Sequence, residues 1–562
     1  MTKEKLLQDL KGKLQVIYGE DYEEDCHQAF EALVDKWAEK DWRPANRITE
    51  KNTYLIAYGD SIYEDGKPAL SVLHRFLKEQ AGGAITDVHL LPMFPYTSDD
   101  GFSVTDYRQI DPALGGWQEI EAFSKDYRLM FDFVANHISK SSSWFQQYLN
   151  DEGEYQNFFI PKENDFDDSQ VVRPRTSLLF HEYEGKNGKK TAWTTFSEDQ
   201  VDVNVKHWPV LIELTDILLT YAHKGGTSIR LDAIGFLWKE SGTSCIHLPR
   251  THEIIKLWRS MLDYFRPNAQ LITETNVPHK ENISYLGSGT DEANMVYQFS
   301  LPPLVLYALS KHDGSKLSQW ASGIQKISEN ATFFNFLASH DGIGMRPTEG
   351  ILTEEERQLL VEKTESNGGR VSYKANPDGS KTVYELNINY SEALVNKEED
   401  VSLELQIQKT LAAHSILLSV VGVPAIYYHS LLGSKNDLEG LAETGINRRI
   451  NREKLAYSLI TEELEENSRR KNIFGSLKEM IALRQTQPAF SPYGEQEVLQ
   501  LGKSVFALKR GGSEKPVYFA VNLDVNETQV DFGIEGYDLI QKKSISGPVT
   551  LGPYQFIWAV EE

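Results

Sequence analysis

Eight short apolar runs, each parted from the next by a segment with helical spacing, constrain this chain more than any other feature. The runs are Tyr54–Ala57, Asp87–Leu91, Arg128–Val134, Ser228–Ala233, Gln270–Thr273, Met295–Phe299, Thr332–Leu337 and Val423–Tyr428. Between them, Pro68–Gln80 carries Leu70, Leu73 and Leu77 on one side, and Ile120–Lys125, Leu211–Ala222, Thr251–Phe265 and Leu403–Val420 read as helices. Strands alternating with helices over about 430 residues predict an α/β chain, a (β/α)8 TIM barrel with insertions. A doubly wound open sheet is the competing arrangement. It is disfavoured because no Gly-x-Gly-x-x-Gly follows an early strand.

The remaining segments divide around that pattern. Residues 1–50 read as a helical N-terminal extension, with Leu6, Leu7, Leu10, Leu14 and Ile17, then Phe30, Leu33, Val34 and Trp37, at helical spacing. Packing on the main body is the expected role, ahead of an interaction arm. The barrel occupies 51–138 and 208–490, and the polar, aromatic-rich stretch 139–207 reads as an inserted subdomain. The polar segment 346–400 is expected to be active-site loop rather than scaffold. From 491 to 562 the pattern alternates, as in Val505–Leu508 and Val517–Val521, and predicts a small all-β C-terminal domain.

The formal net charge of −24 argues against nucleic acid or an anionic membrane as partner, but leaves room for a small anion in a local basic pocket. Cys26 and Cys245 offer neither a disulfide framework nor a metal-ligand cluster, so no metal is expected. The charged, amphipathic N-terminus has no signal-type apolar core, and no run approaches the length of a membrane span. The expected compartment is the cytoplasm.

Side chains alternate along a strand, so Arg230 and Asp232 point the same way while Leu231 and Ala233 face an apolar layer. A cation beside a carboxylate keeps it ionised, which suits a glycosidase-type nucleophile. Taken alone, the pair reads more readily as a structural ion pair. In a barrel, however, catalytic residues sit at the C-terminal ends of strands. Those ends carry Asn136-His137, Asp232, Glu274 with Thr275-Asn276, and His340-Asp341. Two carboxylates flanking a glycosidic bond can serve as nucleophile and as general acid/base. Asp232 is the candidate nucleophile, Glu274 the proton donor and Asp341 a stabiliser of positive charge on the sugar ring. His137 and His340 are candidate donors to sugar hydroxyls.

These residues resemble the α-amylase family, glycoside hydrolase family 13. Its four short motifs stand in order as Asp132–His137, Gly226–Asp232, Glu274 after Leu271-Ile272-Thr273, and Ala338–Asp341. Further stretches resemble the sucrose phosphorylase branch: Leu91–Pro95 with Asp99–Phe102, Arg173–Arg175, Lys239–Cys245, His340–Gly344, Gly433–Asp437 and Ile446–Arg448. The resemblance implies that Asp99 and Arg448 clamp the far edge of one glucosyl unit. It implies apolar platforms at Phe102 and Phe196, and a phosphate ligand at Arg175, whose planar fork suits phosphate oxygens. Lys381 and Tyr384 fall on the family loop that lines the phosphate and acceptor site.

Two departures bear on the leaving group. Thr275–His279 lacks the aliphatic-His pair usual after the acid/base glutamate of sucrose phosphorylases, and places Asn276 there; the helical extension is also unusual for them. Both features, with Met345–Gly350, look like the glucosylglycerate phosphorylases of the same branch. A glycerate leaving group is an anion, and Arg346 is the candidate cation for it. The implied activity is retaining transfer of an α-glucosyl unit from a small α-glucoside to inorganic phosphate, without cofactor. Glycerate, glycerol, fructose and a phosphorylated sugar all remain open as leaving groups. A hydrolase or transglucosidase on the same scaffold is the alternative, and monomer and homodimer are both open.

Overall fold

The computed structural model describes residues 1–562. Eight parallel strands close into a barrel: β1 Tyr54–Ala57, β2 Asp87–Leu90, β3 Arg128–Phe133, β4 Gly226–Leu231, β5 Gln270–Thr273, β6 Met295–Tyr297, β7 Thr332–Asn335 and β8 Val423–Tyr427. Neighbours run in order from β1 through β8, and β8 closes on β1. Apart from Arg128 at its rim, every strand residue is buried. A parallel strand is covered by helices outside and packed side chains inside, so its sequence is apolar on both faces. Six runs end earlier than the apolar pattern suggests. Their last residues, Leu91, Val134, Phe299 and Leu337 among them, turn out of the sheet to build the mouth.

Register decides which side chains meet there. Ile272 of β5 pairs beside Arg230 of β4, and Thr273 beside Leu231. One residue further on, Asp232 and Glu274 therefore leave the sheet side by side, and the Glu274 amide donates to the Leu231 carbonyl at 3.2 Å. On the other flank Asp132 of β3 lies beside Arg230.

The N-terminal extension is two helices, α1 Lys3–Tyr18 and α2 Glu24–Ala38. Leu6, Leu10, Leu14 and Ile17 line one face of α1, and Phe30, Leu33, Val34 and Trp37 one face of α2; all are buried. α1 lies along the barrel helix Pro249–Phe265 and α2 along Trp208–His223. Polar contacts fix them: Tyr18 donates to the Val205 carbonyl at 2.9 Å, and Lys36 and Trp37 both donate to Asp216 Oδ1 at 2.8 Å. The extension is thus packed onto the main body rather than left as an arm.

Beyond β3 the inserted residues hold a helix, Ser143–Leu149, and a hairpin of Phe180–Gly185 with Gly188–Trp193. They are tied to the barrel by His137–Ser139 pairing with Gln200–Asp202. The segment 346–400 departs from the expected loop. It holds a helix, Glu354–Ser366, and a three-stranded sheet in which Lys381–Asn387 lies between Ile343–Gly344 and Arg370–Ala375. The helix escapes a reading by apolar period because only Leu360, Val361 and Thr364 are buried along it. A reciprocal cap, Thr353 with Glu356, starts it.

The C-terminal domain is a six-stranded antiparallel sheet with a smaller two-stranded one. Val505, Ala507, Ala520, Ile557 and Leu551 form a core of its own, while Phe506, Phe519 and Trp558 face the barrel and join the main core. Two buried arginines brace the seam. Arg484 donates to the carbonyls of Leu418, Glu50 and Phe490, and Arg510 to those of Ser419, Glu495 and Ser491. Both guanidiniums lie against the Phe490 ring, at 5.7 and 5.8 Å. Leu418 and Ser419 end the helix Leu403–Ser419, so the arginines satisfy carbonyls that a helix terminus leaves without partners.

Candidate active site

Asp232 is held from below by Arg230. Arg230 Nη1 donates to Asp232 Oδ1 at 2.8 Å and to Asp132 Oδ1 at 2.7 Å, its Nε donates to the Tyr297 hydroxyl at 3.0 Å, and its Nη2 lies 3.5 Å from Glu274 Oε2. Asp132 also bonds His89 at 2.8 Å, deep in the barrel. Glu274 accepts a hydrogen bond from the Ala233 amide at 3.0 Å. That amide is aimed by a left-handed backbone at Ala233, φ 48°, a conformation an alanine adopts only under constraint. Burial is the largest influence on both carboxyls and pushes both above their usual range, with Arg230 opposing it. Arg230 was expected to keep Asp232 acidic; in this dry mouth burial outweighs it. The two carboxyls therefore act as a pair that shares protons rather than as independent acids.

Asp341 behaves oppositely. Burial alone would raise it, but Arg448, His340, Arg452 and Arg230 together hold it well below the carboxylate range. Arg448 Nη1 lies 2.7 Å from Asp341 Oδ1 and His340 Nε2 lies 3.4 Å from it. His340 stacks on Phe102 with centroids 4.8 Å apart and planes 5° apart. Burial, then the surrounding arginines, keep that imidazole neutral against the pull of Asp341.

Asp99 and Arg448, the residues of the expected clamp, both line the pocket. Arg448 also makes a two-pronged pair with Glu385, Nε to Oε1 at 2.8 Å and Nη2 to Oε2 at 3.1 Å, so its guanidinium bridges Asp341 and Glu385. Asp99 instead accepts from Gln200 at 3.1 Å. Asp99 and Asp100 both have positive φ, 53° and 48°, and the turn is pinned by Asp100 pairing with Arg449 at 2.8 Å and Arg452 at 2.7 Å. His137 lines the pocket, yet its Nε2 lies 3.0 Å from the Phe102 carbonyl, a pure acceptor. The proton is therefore on Nε2 and points to backbone, not to the open space.

These groups face one cavity at the mouth of the barrel. Its walls include Asp99, Phe102, His137, Phe196, Asp232, Glu274, Asn276, His340, Asp341 and Arg448. Arg175, Arg346, Lys374 and Tyr384 line it as well. The guanidinium of Arg175 is held between the rings of Phe196, at 5.4 Å, and Tyr384, at 5.1 Å. Two candidates fall outside the cavity. Arg230 lies beneath it, its guanidinium spent on the three carboxylates and Tyr297, so it positions the carboxylates rather than touching sugar. Lys381 starts its strand, exposed, opposite Ala375. The lysine that reaches the cavity is Lys374, on the partner strand, because a register shift at Ser372/Tyr373 sets which side chains turn inward. His279 also points away, toward Trp320 and Phe333 in the barrel wall.

The α-amylase catalytic-domain model matches residues 80–350. The chain is 46% identical over 505 residues to a glucosylglycerate phosphorylase of Spirochaeta thermophila, covering 88% of this chain and 85% of that one. It is 45% identical over 514 residues to a glucosylglycerate phosphorylase of Allomeiothermus silvanus, covering 91% and 92%. The chain belongs to the phosphorylase branch of the α-amylase family. Among solved structures, sucrose 6F-phosphate phosphorylase from Thermoanaerobacter thermosaccharolyticum shares the fold with a TM-score of 0.75 at 24% identity, over 90% of this chain and 99% of that one.

Several residues of this α-amylase-family site carried no assigned role in the sequence reading. Lys239 Nζ lies 2.7 Å from Asp202 Oδ2 and donates to Asn136 Oδ1 at 3.0 Å, so an ammonium ties the inserted residues to the end of β3. No three His, Cys, Asp or Glu side chains are arranged to hold a metal ion. No helix is long and apolar enough to cross a membrane. Glu385 and Arg452 carry no motif signal of their own. Only their spacing from Tyr384 and Arg448 hints at them.

Proposed function

We propose that this chain is a retaining α-glucoside phosphorylase whose donor is a glucosylated small hydroxy acid, glucosylglycerate being the best fit. One observation carries the reading. Arg175, Arg346 and Lys374 line the same cavity as the carboxylates, and none lies within 4 Å of a carboxylate, in a chain of net charge −24. Cations left without partners in so acidic a protein are placed for anions that arrive: phosphate and the acceptor's carboxylate. The relatives' names agree with that reading.

The chemistry follows from the pair of carboxyls. Arg230 contacts Asp232 more closely than Glu274, 2.8 Å against 3.5 Å, which puts the negative charge on Asp232 and the proton on Glu274. Asp232 attacks the anomeric carbon as Glu274 protonates the departing oxygen, and a β-glucosyl ester forms. A phosphate oxygen then attacks the same carbon and returns its proton to Glu274. The ester bond to Asp232 breaks, and α-glucose 1-phosphate leaves. Asp341, fixed as an anion by Arg448, opposes the positive charge that grows on the ring in both steps.

Incubation with phosphate and a panel of α-glucosides tests this. Glucosylglycerate should yield glucose 1-phosphate faster than sucrose or glucosylglycerol. Free glucose as the main product, or sucrose turned over as well as glucosylglycerate, would overturn it.

A further inference from the structure

The sheet wall beside the carboxylates carries two cations that the phosphate step does not use. Ile343–Gly344, Lys381–Asn387 and Arg370–Ala375 form one three-stranded sheet. Its central strand places Tyr384 and Glu385 in the cavity, Arg346 follows one edge strand, and Lys374 lies on the other, opposite Thr382. Arg175 comes from the facing wall, on the inserted residues, and stacks on Tyr384. The cations thus stand in two stations, Arg175 on one side and Arg346 with Lys374 on the other.

The second station is built for an anion. Arg346 Nε is buried and has no hydrogen-bond partner. Lys374 has no acceptor within hydrogen-bond reach, and burial, with the charge of Arg346 next in importance, lowers its pKa. Two like charges held near each other in partial burial destabilise one another until an anion lies between them. Glu349 and Glu281 lie close enough to act on Lys374 through space, but neither pairs with it or with Arg346. Asn276 adds an amide on the same side: its buried Oδ1 lacks a partner, and it packs so closely on Gly344 that a Cβ there would lie 2.6 Å from it.

We infer that Arg346 and Lys374 together bind the carboxylate of the acceptor, and that this station, separate from Arg175, sets the preference for hydroxy acids over neutral alcohols. It rests on the reading of the cavity as a glucosyl-transfer site. A carboxylate between a guanidinium and an ammonium accepts charge-assisted bonds from both, leaving the acceptor's hydroxyl free to face the anomeric carbon. A neutral alcohol of the same size forfeits those bonds and leaves the two cations unrelieved.

The test uses α-glucosyl fluoride as donor, which loads Asp232 without help from phosphate or the natural leaving group. Matched acceptors are D-glycerate against glycerol and lactate against propane-1,2-diol. The full-length wild type should favour each carboxylate. Lys374→Gln and Arg346→Gln should each lower kcat/KM for the carboxylates about tenfold or more relative to the matched neutral acceptors, the loss of one charge-assisted bond. The neutral acceptors report folding and catalysis in the same variants. A carboxylate preference that survives both substitutions overturns the assignment, as does a wild type with no such preference. Failure of the phosphorylase reading shows separately, as no glucose 1-phosphate formed when phosphate is the acceptor from the same fluoride.

Discussion

Arg230 reaches Asp232 and Asp132 from a single nitrogen, at 2.8 and 2.7 Å, while its other nitrogens serve Tyr297 and approach Glu274. One rigid fork thus aims both working carboxyls. A lysine is a point charge and cannot hold that geometry. Arg230→Lys is expected to lower kcat by about 100-fold or more and to destabilise the fold by about 3 kcal/mol, since a buried network loses its fit. Steady-state kinetics and a denaturant titration check the two effects.

Asp232 and Glu274 divide by chemistry. Asp232→Asn is expected to abolish turnover of every donor with the fold intact. Glu274→Gln should lose about 100-fold or more on glucosides that need a protonated leaving oxygen, yet keep α-glucosyl fluoride, whose leaving group needs no proton. Equal losses on both donors in the glutamine variant would assign the acid elsewhere.

Arg175 meets no carboxylate and is held flat between Phe196 and Tyr384. Arg175→Gln is expected to raise the KM for phosphate about tenfold and to divert the glucosyl enzyme to water. The ratio of glucose 1-phosphate to glucose, measured against phosphate concentration, reads this directly.

His414 lies fully buried in the helix Leu403–Ser419, its Nδ1 donating to the Thr410 carbonyl and its Nε2 without a partner. Burial lowers its pKa from 6.5 to about 4. The unfolded chain therefore binds a proton that the folded one refuses between those values. Its contribution to stability is complete above pH 6.5 and is lost as pH falls toward 4, by about 3 kcal/mol at full protonation. His247, at about 4, adds in the same direction. Tm followed from pH 7.5 to pH 4 should fall, and His414→Gln should flatten part of that slope.

The barrel and its carboxylates were legible because two periodicities agree. Parallel strands must be apolar on both faces, and a barrel exposes function only where those strands end. Arg230, Asp232 and Glu274 could therefore be placed from spacing alone, and the register of β4 and β5 brings them together. The sheet wall was not legible for an equally physical reason. Lys374 and Lys381 flank the same turn, and only the register shift at Ser372/Tyr373 decides which enters the cavity. The helix Glu354–Ser366 buries too few residues to show a period, although Thr353 and Glu356 announced its start. His137 was misread for want of its neighbour: nothing in sequence says that the Phe102 carbonyl would take its proton.

The seam between barrel and C-terminal domain has a bearing on how the chain comes apart. Arg484 comes from the barrel's last helix and holds barrel carbonyls and that of Phe490, whereas Arg510, from the C-terminal sheet, reaches back to Ser419 as well as to Ser491 and Glu495. Peeling the small domain away would take the Ser419 carbonyl from a buried cation, Arg510, and open the contact of Phe506, Phe519 and Trp558 with the main core. The lowest-energy route to damage is thus not detachment of a module but collapse of the whole assembly, so that heat or a protease meets a chain that yields all at once.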